Sequence, residues 1–382
     1  MSDPFSVTFA ASQADISAAL WQACFPPPLE GRWWYEALER SGLEDQFAFS
    51  YALVRQGDRE VGIAPVFLMD VPMDIVAPEA VLRLLKPLGR FFPRLLYQRT
   101  LFVGSPCADE GSVGLLPGVD RRAAFLSLQQ ALDREARRLG APMLVWKDFP
   151  GSYGPDLDWL AAKTGLFSMI SYPGTVAELP GPGKEDFFAA MKGSRRQKLK
   201  RKLRISAARV VLDAADVQEP QGPVLDEIFG LFWQTYEHAT TRFERLNRRF
   251  FELVAGLPQA HFLTLRERAS GDMAAFMLCF DMGDVIINKF IGQDYTRPKD
   301  WSLFFRLWET VLDWSLDRGA KVIQSGQTGY EPKMEMGHRL VRLTNYCRHQ
   351  NPVIHRVYAL VAKGISWGTL DPVLARYEGP NS

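Results

Sequence analysis

Three side chains that can donate hydrogen bonds to an anion lie close together in the segment KVIQSGQTGYEPKMEMG, residues 321–337. Gln327, Tyr330 and Lys333 follow a short apolar run that predicts a buried strand. Polar loops at the carboxyl ends of strands are where α/β folds usually place chemistry. The segment therefore predicts a functional loop, with an ordinary β-hairpin turn as the alternative.

A second group of polar residues precedes the predicted helix SLFFRLWETVLDWSLDRGA. It comprises Thr296, Arg297, Lys299 and Ser302. Backbone N–H groups at a helix N-terminus attract phosphate, so these donors predict a phosphate-binding site. The alternative is a simple helix cap formed by Asp300 or Ser302.

Three places in the sequence offer a proton acceptor. They are Asp294 after a predicted central strand, Glu237 and His238 in a predicted helix, and Asp109 and Glu110 in GSPCADEGS. A histidine has the pKa suited to proton transfer at neutral pH, although a lone helical histidine is more often a surface or packing residue. Asp294 is predicted at the carboxyl end of a central strand, a better position for a catalytic base than the helix that carries His238. The sequence leaves the identity of the base open.

The composition is that of a folded protein with ample core, because 47% of the 382 residues are hydrophobic and 23% are charged. A net charge of +1 argues against a dedicated nucleic-acid binder. The four cysteines lie far apart, without a CxxC pair or a histidine at metal-ligand spacing, so no metal site is expected. We predict a cytoplasmic protein, since the first residues lack an export signal and no apolar run is long enough to span a bilayer.

Strand and helix signals follow the same order in both halves of the chain: a strand hairpin, a further strand, a long helix and a strand. Residue identities do not repeat, so the halves are predicted to share an architecture rather than a sequence repeat. We predict an N-terminal domain at 1–180, a basic linker helix at 181–206 and a C-terminal domain at 207–382. SMISYPGTVAELP and RLVRLTNYCRH are each predicted as strand.

Two basic segments have the composition to meet phosphate or lipid. KGSRRQKLKRKLR, which includes Arg195 and Arg196, has cations on nearly every helix face and lacks aromatic residues that stack on bases. It predicts either contact with phosphate groups or a solvated helix. Val81–Phe102 mixes five cations with leucines and aromatic residues and has no acidic residue, which is typical of a broken helix or lid at a membrane surface. The alternative is an internal excursion packed on the N-terminal half.

Three segments resemble parts of the GNAT-like acyl-CoA N-acyltransferases. VGIAPVFL resembles the second hairpin strand of their N-terminal half, and FFAAMKGSRRQKLKRKLR resembles their linker helix. FIGQDYTRPKDWSLFFRLWETVLDWSLDRGAKVIQSGQTGYEPKMEMG resembles the core of their C-terminal domain. The resemblance implies an α/β fold with mixed (α+β) sheets, made of two tandem GNAT-like domains packed as a pseudo-dimer. The usual pyrophosphate signature, Q/R-x-x-G-x-G/A, is absent from DYTRPKDWS, which argues against a standard acetyl-CoA pocket.

Two branches of this superfamily share the layout. Fem-type peptidoglycan transferases use aminoacyl-tRNA, whereas the other branch uses acyl-CoA and includes members that resemble bacterial ceramide synthases. The second branch implies direct attack of a long-chain amine on an acyl-CoA thioester without a metal. The resemblance to GNAT enzymes implies Tyr330 as general acid. Lys333 is a candidate either to polarise the carbonyl oxygen or to hold a phosphate, and Gln327 is a candidate donor to the same oxygen. The expected partners are acyl-CoA, an amphipathic amine and an anionic membrane surface at the inner face of the membrane, with tRNA only in the Fem branch. A non-catalytic, lipid-binding protein of this fold is a further alternative.

Overall fold

The computed structural model describes residues 5–72, 96–239 and 245–378. The chain divides into two compact units, each assembled from separated segments. Unit 1 comprises Met1–Pro26, Leu43–Tyr172 and Arg342–Ser382, and unit 2 comprises Pro27–Gly42 and Pro173–Val341. The predicted segments 1–180, 181–206 and 207–382 are contiguous, and their assignment as domains stays a prediction.

The described α-helices are α1 (Ala18–Cys24), α2 (Arg32–Arg40), α3 (Arg121–Arg138), α4 (Gly154–Thr164), α5 (Lys184–Ala190), α6 (Gly193–Arg209), α7 (Gly222–His238), α8 (Arg248–Ala255), α9 (Leu303–Asp317), α10 (Tyr330–Glu335), α11 (Pro352–Ala362) and α12 (Trp367–Leu370). The described strands are β1 (Ser6–Ala10), β2 (Ala48–Gln56), β3 (Arg59–Pro72), β4 (Tyr97–Val103), β5 (Gly114–Leu115), β6 (Met143–Pro150), β7 (Phe167–Ile170), β8 (Gly174–Glu178), β9 (Leu212–Val217), β10 (Ala260–Glu267), β11 (Met273–Asp281), β12 (Val285–Gln293), β13 (Val322–Gln324), β14 (Arg339–Val341) and β15 (Leu343–His349).

Unit 1 is built on a mixed sheet with the strand order β1-β2-β3-β4-β6-β15-β7, and β5 pairs with β3. The hairpin predicted around QGD is present, and it turns at Gly57, whose φ of 59° suits glycine. β4 and β6 run parallel, and the long helix α3 lies in the crossover connection that parallel neighbours require. Phe125 and Leu128 of α3 pack with Trp146 of β6 in the core of this unit.

Unit 2 is built on a mixed sheet with the strand order β14-β8-β13-β12-β11-β10-β9. β10, β11 and β12 form an antiparallel meander, as their alternating patterns and the turns at SGD and MGD predict. α9 then crosses over to β13, which pairs parallel with β12. Its apolar face, including Leu307, Trp308 and Val311, is buried in the core of unit 2.

Helix α7 approaches β12 closely at Gly292. A Cβ atom at this position would lie 2.6 Å from backbone atoms of both Leu231 and Phe232 in α7, and 2.3 Å from the ring of Phe276. Only a residue without a side chain allows this approach. Gly292 therefore fixes how near α7 can lie to the strand that leads to the candidate site.

Two predicted strands are each divided between the sheets. SMISYPGTVAELP gives β7 in the first sheet and β8 in the second, and RLVRLTNYCRH gives β14 in the second sheet and β15 in the first. The interpretation of each as one strand is wrong, because a local pattern does not record which strand supplies the hydrogen-bond partners. Pro173, which has no N–H to donate, lies at the first of these breaks.

Three other predictions concern single segments. The helix predicted at 181–206 is two helices, α5 and α6, with Met191 and Lys192 between them. Residues 81–95 of the predicted membrane-surface segment lie outside the described residues, whereas Tyr97–Val103 is strand β4 rather than a broken helix or lid. No helix in the described ranges is long and apolar enough to cross a bilayer.

Candidate active site

The parallel strands β12 and β13 separate at their carboxyl ends. They pair only from Val285 to Ile287 on β12, and Ile287 faces Gln324, the last residue of β13. Beyond this point β12 continues along β11, while the N–H of Ser325 donates to the carbonyl of Thr175 at 2.8 Å. The region beyond these last paired residues, which we call the β12/β13 gap, lies at the carboxyl ends of the two strands.

A chain of buried polar side chains bridges the β12/β13 gap. The Cys279 thiol donates to Asn288 Oδ1 at 3.2 Å. Asn288 Nδ2 donates to Ser325 Oγ at 3.2 Å, and Ser325 Oγ lies 3.0 Å from His338 Nε2. His338 Nδ1 lies 3.0 Å from the carbonyl oxygen of Lys333. Because a carbonyl only accepts, Nδ1 carries the proton and Nε2 accepts from the Ser325 hydroxyl.

His338 is neutral in this environment. Burial, reinforced by the nearby Lys333 ammonium, lowers the pKa of His338 to about 3, and the side chain is 2% exposed. Burial also raises the pKa of the Cys279 thiol well above its usual value. The buried chain is therefore uncharged near neutral pH, and it holds the two separated strands in a fixed geometry.

The loop after β13 carries the residues that the sequence singles out. Residues 330–335 form helix α10, and β14 pairs with β8 rather than β13, so the β-hairpin alternative is wrong. The Lys333 ammonium donates to the backbone carbonyls of Ser325, Gly326 and Gln327, the last at 3.0 Å. This ammonium therefore fixes the loop and keeps a positive charge beside the β12/β13 gap.

Tyr330 begins α10 and is buried, with 1% of the residue exposed. Its hydroxyl donates to the carbonyl of Pro173 at 2.9 Å. Gln327 is half-buried and precedes Thr328, whose φ of 60° is unusual for a residue with a side chain. The structure thus brings Gln327, Tyr330 and Lys333 together on one constrained loop, and their catalytic roles stay predictions.

The loop after β12 is held by carboxylates. The Arg297 guanidinium lies 2.8 Å from carboxylate oxygens of Asp294, Glu267 and Asp272. Thr296 donates to Asp294 through its hydroxyl, at 2.6 Å, and through its N–H, at 2.9 Å. Burial opposes ionisation of Asp294, but the bonds from Thr296 and Arg297 outweigh it and lower the pKa of Asp294. Asp294 is therefore ionised, and a phosphate would have to compete with three carboxylates for Arg297.

Lys299 and Ser302 lie at the start of α9. Lys299 is exposed, and in the described part of the chain it has no carboxylate within ion-pairing distance. Ser302 is the N-cap residue of α9, but its φ is 49° and its side chain makes no capping bond. The simple side-chain cap offered as the alternative is therefore wrong for Ser302, and the phosphate role of these residues stays a prediction.

His238 is exposed at the end of α7. Its Nδ1 lies 2.8 Å from the carbonyl of Gln234, and its ring stacks on Tyr295 with 3.9 Å between ring centroids. Tyr295 follows Asp294 in sequence, so the two candidate bases occupy the same region beyond β12. Neither the loop after β12 nor the loop after β13 contains a described group of three metal-ligating side chains.

The basic helix α6 is partly neutralised from within unit 2. Lys198 and Lys202 each lie 2.6 Å from a carboxylate oxygen of Glu335, which ends α10. Burial raises the pKa of Glu335, but the two lysines reverse this and lower it. Arg196 donates to the carbonyl of Phe188 at 3.4 Å, and Arg195 is half-buried. Helix α6 is therefore joined to the end of α10 by two ion pairs, which help to position the loop after β13.

The residues missed by the sequence analysis are Asn288, Ser325 and His338. Asn288 lies within the apolar run VIINKFIG, and a polar side chain in such a run needs a buried partner. That signal was available for Asn288. It does not identify Ser325 or His338, which approach Asn288 only through the topology of the sheet.

The comparison with known proteins concerns the fold. No protein-family model and no curated protein matches the sequence. Among solved structures the chain is similar to FemX, with a TM-score of 0.59 and 10% identity over 93% of this chain and 100% of that one. It is also similar to a tandem GNAT protein from the clavulanic acid biosynthesis pathway, with a TM-score of 0.53 and 12% identity over 91% and 99% of the two chains.

A third similar structure is L-PGS from Bacillus licheniformis, with a TM-score of 0.50 and 11% identity over 79% of this chain and 85% of that one. The chain therefore has the tandem GNAT-like fold. The predicted α+β fold class with mixed sheets is confirmed as well.

Proposed function

We propose that the protein is an N-acyltransferase that moves a fatty acyl group from acyl-CoA to the amine of a long-chain lipid base, in the manner of a ceramide synthase. The observation that supports it most is the β12/β13 gap, bordered by a loop that carries a phenol and an ammonium. The resemblance of the sequence to acyl-CoA-dependent transferases supports the donor. The proposal includes a peripheral location at the inner face of the membrane, because the long-chain base and the acyl chain of the donor both partition into bilayers.

In the proposed reaction the amine nitrogen attacks the thioester carbonyl carbon. The C–N bond forms, the C–S bond breaks, and the amide and free CoA thiol leave. Lys333 and Gln327 stabilise the oxyanion of the tetrahedral intermediate, for which Lys333 must release one of its three backbone carbonyl partners. Tyr330 gives its proton to the departing sulfur. Tyr330 must then exchange its bond to Pro173 for one to the sulfur.

The amine must lose a proton, and we propose Asp294 or His238 as the acceptor. Asp294 is ionised but weakly basic because Thr296 and Arg297 stabilise its charge. His238 is exposed, and histidine is the side chain type that most often transfers protons at neutral pH. If His238 is the base, His238→Gln should remove the acidic limb of the pH–rate profile, whereas Asp294→Asn should leave that limb in place.

We propose that the phosphates of the donor lie near the start of α9, where Thr296, Arg297, Lys299 and Ser302 lie. The end of α6 that meets this region is its C-terminal one, since the Ser206 hydroxyl donates to the carbonyl of Trp301. Arg195 and Arg196 lie about three turns away along α6, so we do not include them in this site. Lys299 carries the most weight, since it is exposed and needs no rearrangement. Lys299→Glu should raise the KM for acyl-CoA without changing the KM for the amine.

The decisive test is product formation from palmitoyl-CoA and dihydrosphingosine, followed by mass spectrometry of the N-acylated base. Wild type should form the amide, and Tyr330→Phe or Lys333→Met should lower kcat about a hundredfold, the usual scale for losing one acid or one oxyanion donor. Tyr377→Phe and Lys321→Met are matched controls, because these side chains are exposed. Both controls should retain full activity.

Other results would overturn the proposal in identifiable ways. Activity that requires aminoacyl-tRNA and disappears with ribonuclease would favour the Fem-type alternative. Lipid binding without turnover in wild type would favour the non-catalytic alternative. Unchanged turnover in Tyr330→Phe would be consistent with the proposed reaction but would show that the Tyr330 hydroxyl takes no part in it.

A further inference from the structure

Helix α11 of unit 1 turns its apolar face outward. Val353 and Leu360 are each 67% exposed, Val357 is 51% exposed, and Ile354 and Val361 are 38% and 40% exposed. These residues recur at the spacing of one helix face. A soluble protein normally buries such a stripe, so this exposed apolar face needs a partner.

The opposite side of α11 is the one that packs on unit 1. His355 lies against the ring of Phe167 in β7, with 5.2 Å between centroids, and Tyr358 lies against His349 with 5.7 Å between centroids. Gln98 of β4 donates to the Tyr358 hydroxyl at 3.4 Å. The helix is therefore anchored by its polar and aromatic side. Its outward orientation is fixed by these contacts.

Charge around the exposed apolar face indicates what covers it. Arg356 and Lys363 lie beside the face, and neither has a carboxylate within 4 Å in the described part of the chain. The sequence from His349 to Leu370 contains no aspartate or glutamate. An apolar helix face whose charged neighbours along the helix are both cations is complementary to a partner that is apolar inside and anionic at its edge.

Two occupants from the chain itself fit these charges poorly. A second copy of α11 would bring a helix that has cations and no carboxylates against the same cations. The segment at 73–95 has four arginine or lysine residues against two acidic ones, so it too would add positive charge. Both arrangements leave Arg356 and Lys363 without an opposite charge.

We propose that α11 is a membrane-docking helix that places Val353, Val357 and Leu360 among the acyl chains of an anionic bilayer, with Arg356 and Lys363 on the lipid phosphates. Residues of this kind enter the headgroup and acyl boundary while the helix lies parallel to the surface. This inference identifies the surface of the protein that would produce the peripheral location proposed in the previous subsection. It does not depend on the chemistry at the β12/β13 gap.

The test is sedimentation of the full chain with vesicles of phosphatidylcholine containing about one-third phosphatidylglycerol, which supplies anionic headgroups. Wild type should bind these vesicles more tightly than vesicles of phosphatidylcholine alone. Combining Val357→Glu with Leu360→Glu should reduce binding at least about tenfold, and combining Arg356→Glu with Lys363→Glu should abolish the preference for the anionic lipid. Val211→Glu is the matched control, because Val211 is also 51% exposed but lies in unit 2, and it should bind like wild type.

Circular dichroism should be the same for all variants, since every substituted side chain is exposed. Wild type that does not bind the vesicles, or variants that bind as wild type does, would overturn the proposal. Analytical ultracentrifugation supplies a second measurement: a wild-type dimer that becomes monomeric in the Val357/Leu360 variant would assign the face to self-association instead. Because the vesicles contain no acyl acceptor, failure here leaves the acyl-transfer proposal untouched, and turnover of detergent-dispersed substrate would still be measured separately.

Discussion

The imidazole of His338 is buried between the Ser325 hydroxyl and the Lys333 carbonyl, and it is held neutral there. Above pH 6.5 it is unprotonated in both the folded and the unfolded chain. As the pH falls from 6.5 towards 3, only the unfolded chain takes up the proton, so the free energy of unfolding decreases. The stability is therefore complete above the unfolded pKa and is lost progressively on acidification.

This linkage predicts a measurable pH dependence. Between pH 7 and pH 5, His338 should lower the free energy of unfolding by about 2 kcal/mol, at about 1.4 kcal/mol per pH unit below 6.5. His338→Gln, whose amide can still donate and accept, should lose that part of the pH dependence. Urea unfolding of both proteins at the two pH values measures the difference. His349 and His355, which also have lowered pKa values, are common to both proteins and cancel.

An equal decrease in wild type and His338→Gln would contradict the assignment of a neutral, buried imidazole. It would place the titrating groups elsewhere, among the other histidines or the carboxylates. The pH range chosen lies above the usual carboxylate pKa, so acidic residues contribute little to the comparison.

The residues of the candidate site were predictable to different degrees. Gln327, Tyr330 and Lys333 stand out because polar side chains follow an apolar strand at once, a signal confined to a few neighbouring positions. The engagement of Arg297 by Glu267 and Asp272 was not predictable, because those carboxylates lie on a different strand and turn. Local spacing identifies which side chains can act, whereas tertiary contacts decide which are already occupied.

At the scale of elements, the contact of α7 with β12 gives a sharp prediction. Gly292→Ala should destabilise the protein by about 1–3 kcal/mol, because the added methyl group would overlap backbone atoms of Leu231 and Phe232. The matched control is Gly230→Ala in α7, where a Cβ atom meets nothing within 4 Å. This control should stabilise the protein by about 0.5–1 kcal/mol, because alanine loses less entropy than glycine in a helix.

Thermal unfolding of the two alanine variants tests this contact. The melting temperature should fall for Gly292→Ala and rise slightly for Gly230→Ala. Shifts of the same sign and size in both would mean that α7 can move away from β12 at little cost. Gly292→Ala should also lower the acyl-transfer activity, since β12 forms one side of the β12/β13 gap, whereas Gly230→Ala should not.

Elements defined by their own pattern were predictable, and those defined by their neighbours were not. The meander β10–β12 and helix α9 each have a clear period and clear turns, so sequence alone gives their type and order. The division of SMISYPGTVAELP and RLVRLTNYCRH between two sheets depends on pairing with distant strands. Nothing within either segment reports that pairing, apart from the proline at residue 173.

At the scale of the whole molecule, the position of β15 predicts how the chain can be cut. β15 lies between β6 and β7 in the first sheet, although it follows them by well over a hundred residues in sequence. A fragment of residues 1–172 therefore lacks an interior strand and should not unfold cooperatively. Joining residues 342–382 to it through a flexible linker should restore a cooperative transition, measured by circular dichroism in urea.

Cooperative unfolding of the 1–172 fragment by itself would show that β15 is dispensable for unit 1. The linked fragment serves as the positive control, because it contains every strand of the first sheet. Both fragments carry residues 27–42, which belong to unit 2, so a third version replaces this segment with a short flexible linker. Failure of all three would mean that unit 1 also requires unit 2 to fold.

The late position of β15 also has a consequence during synthesis. While the ribosome is still translating the second half of the protein, β6 and β7 have already emerged and must wait with open edges for a strand that has not yet been made. The nascent chain is thus exposed to wrong pairing for about half of its translation time. Folding helpers that bind nascent chains should matter more for this protein than for one whose halves close in the order in which they are made.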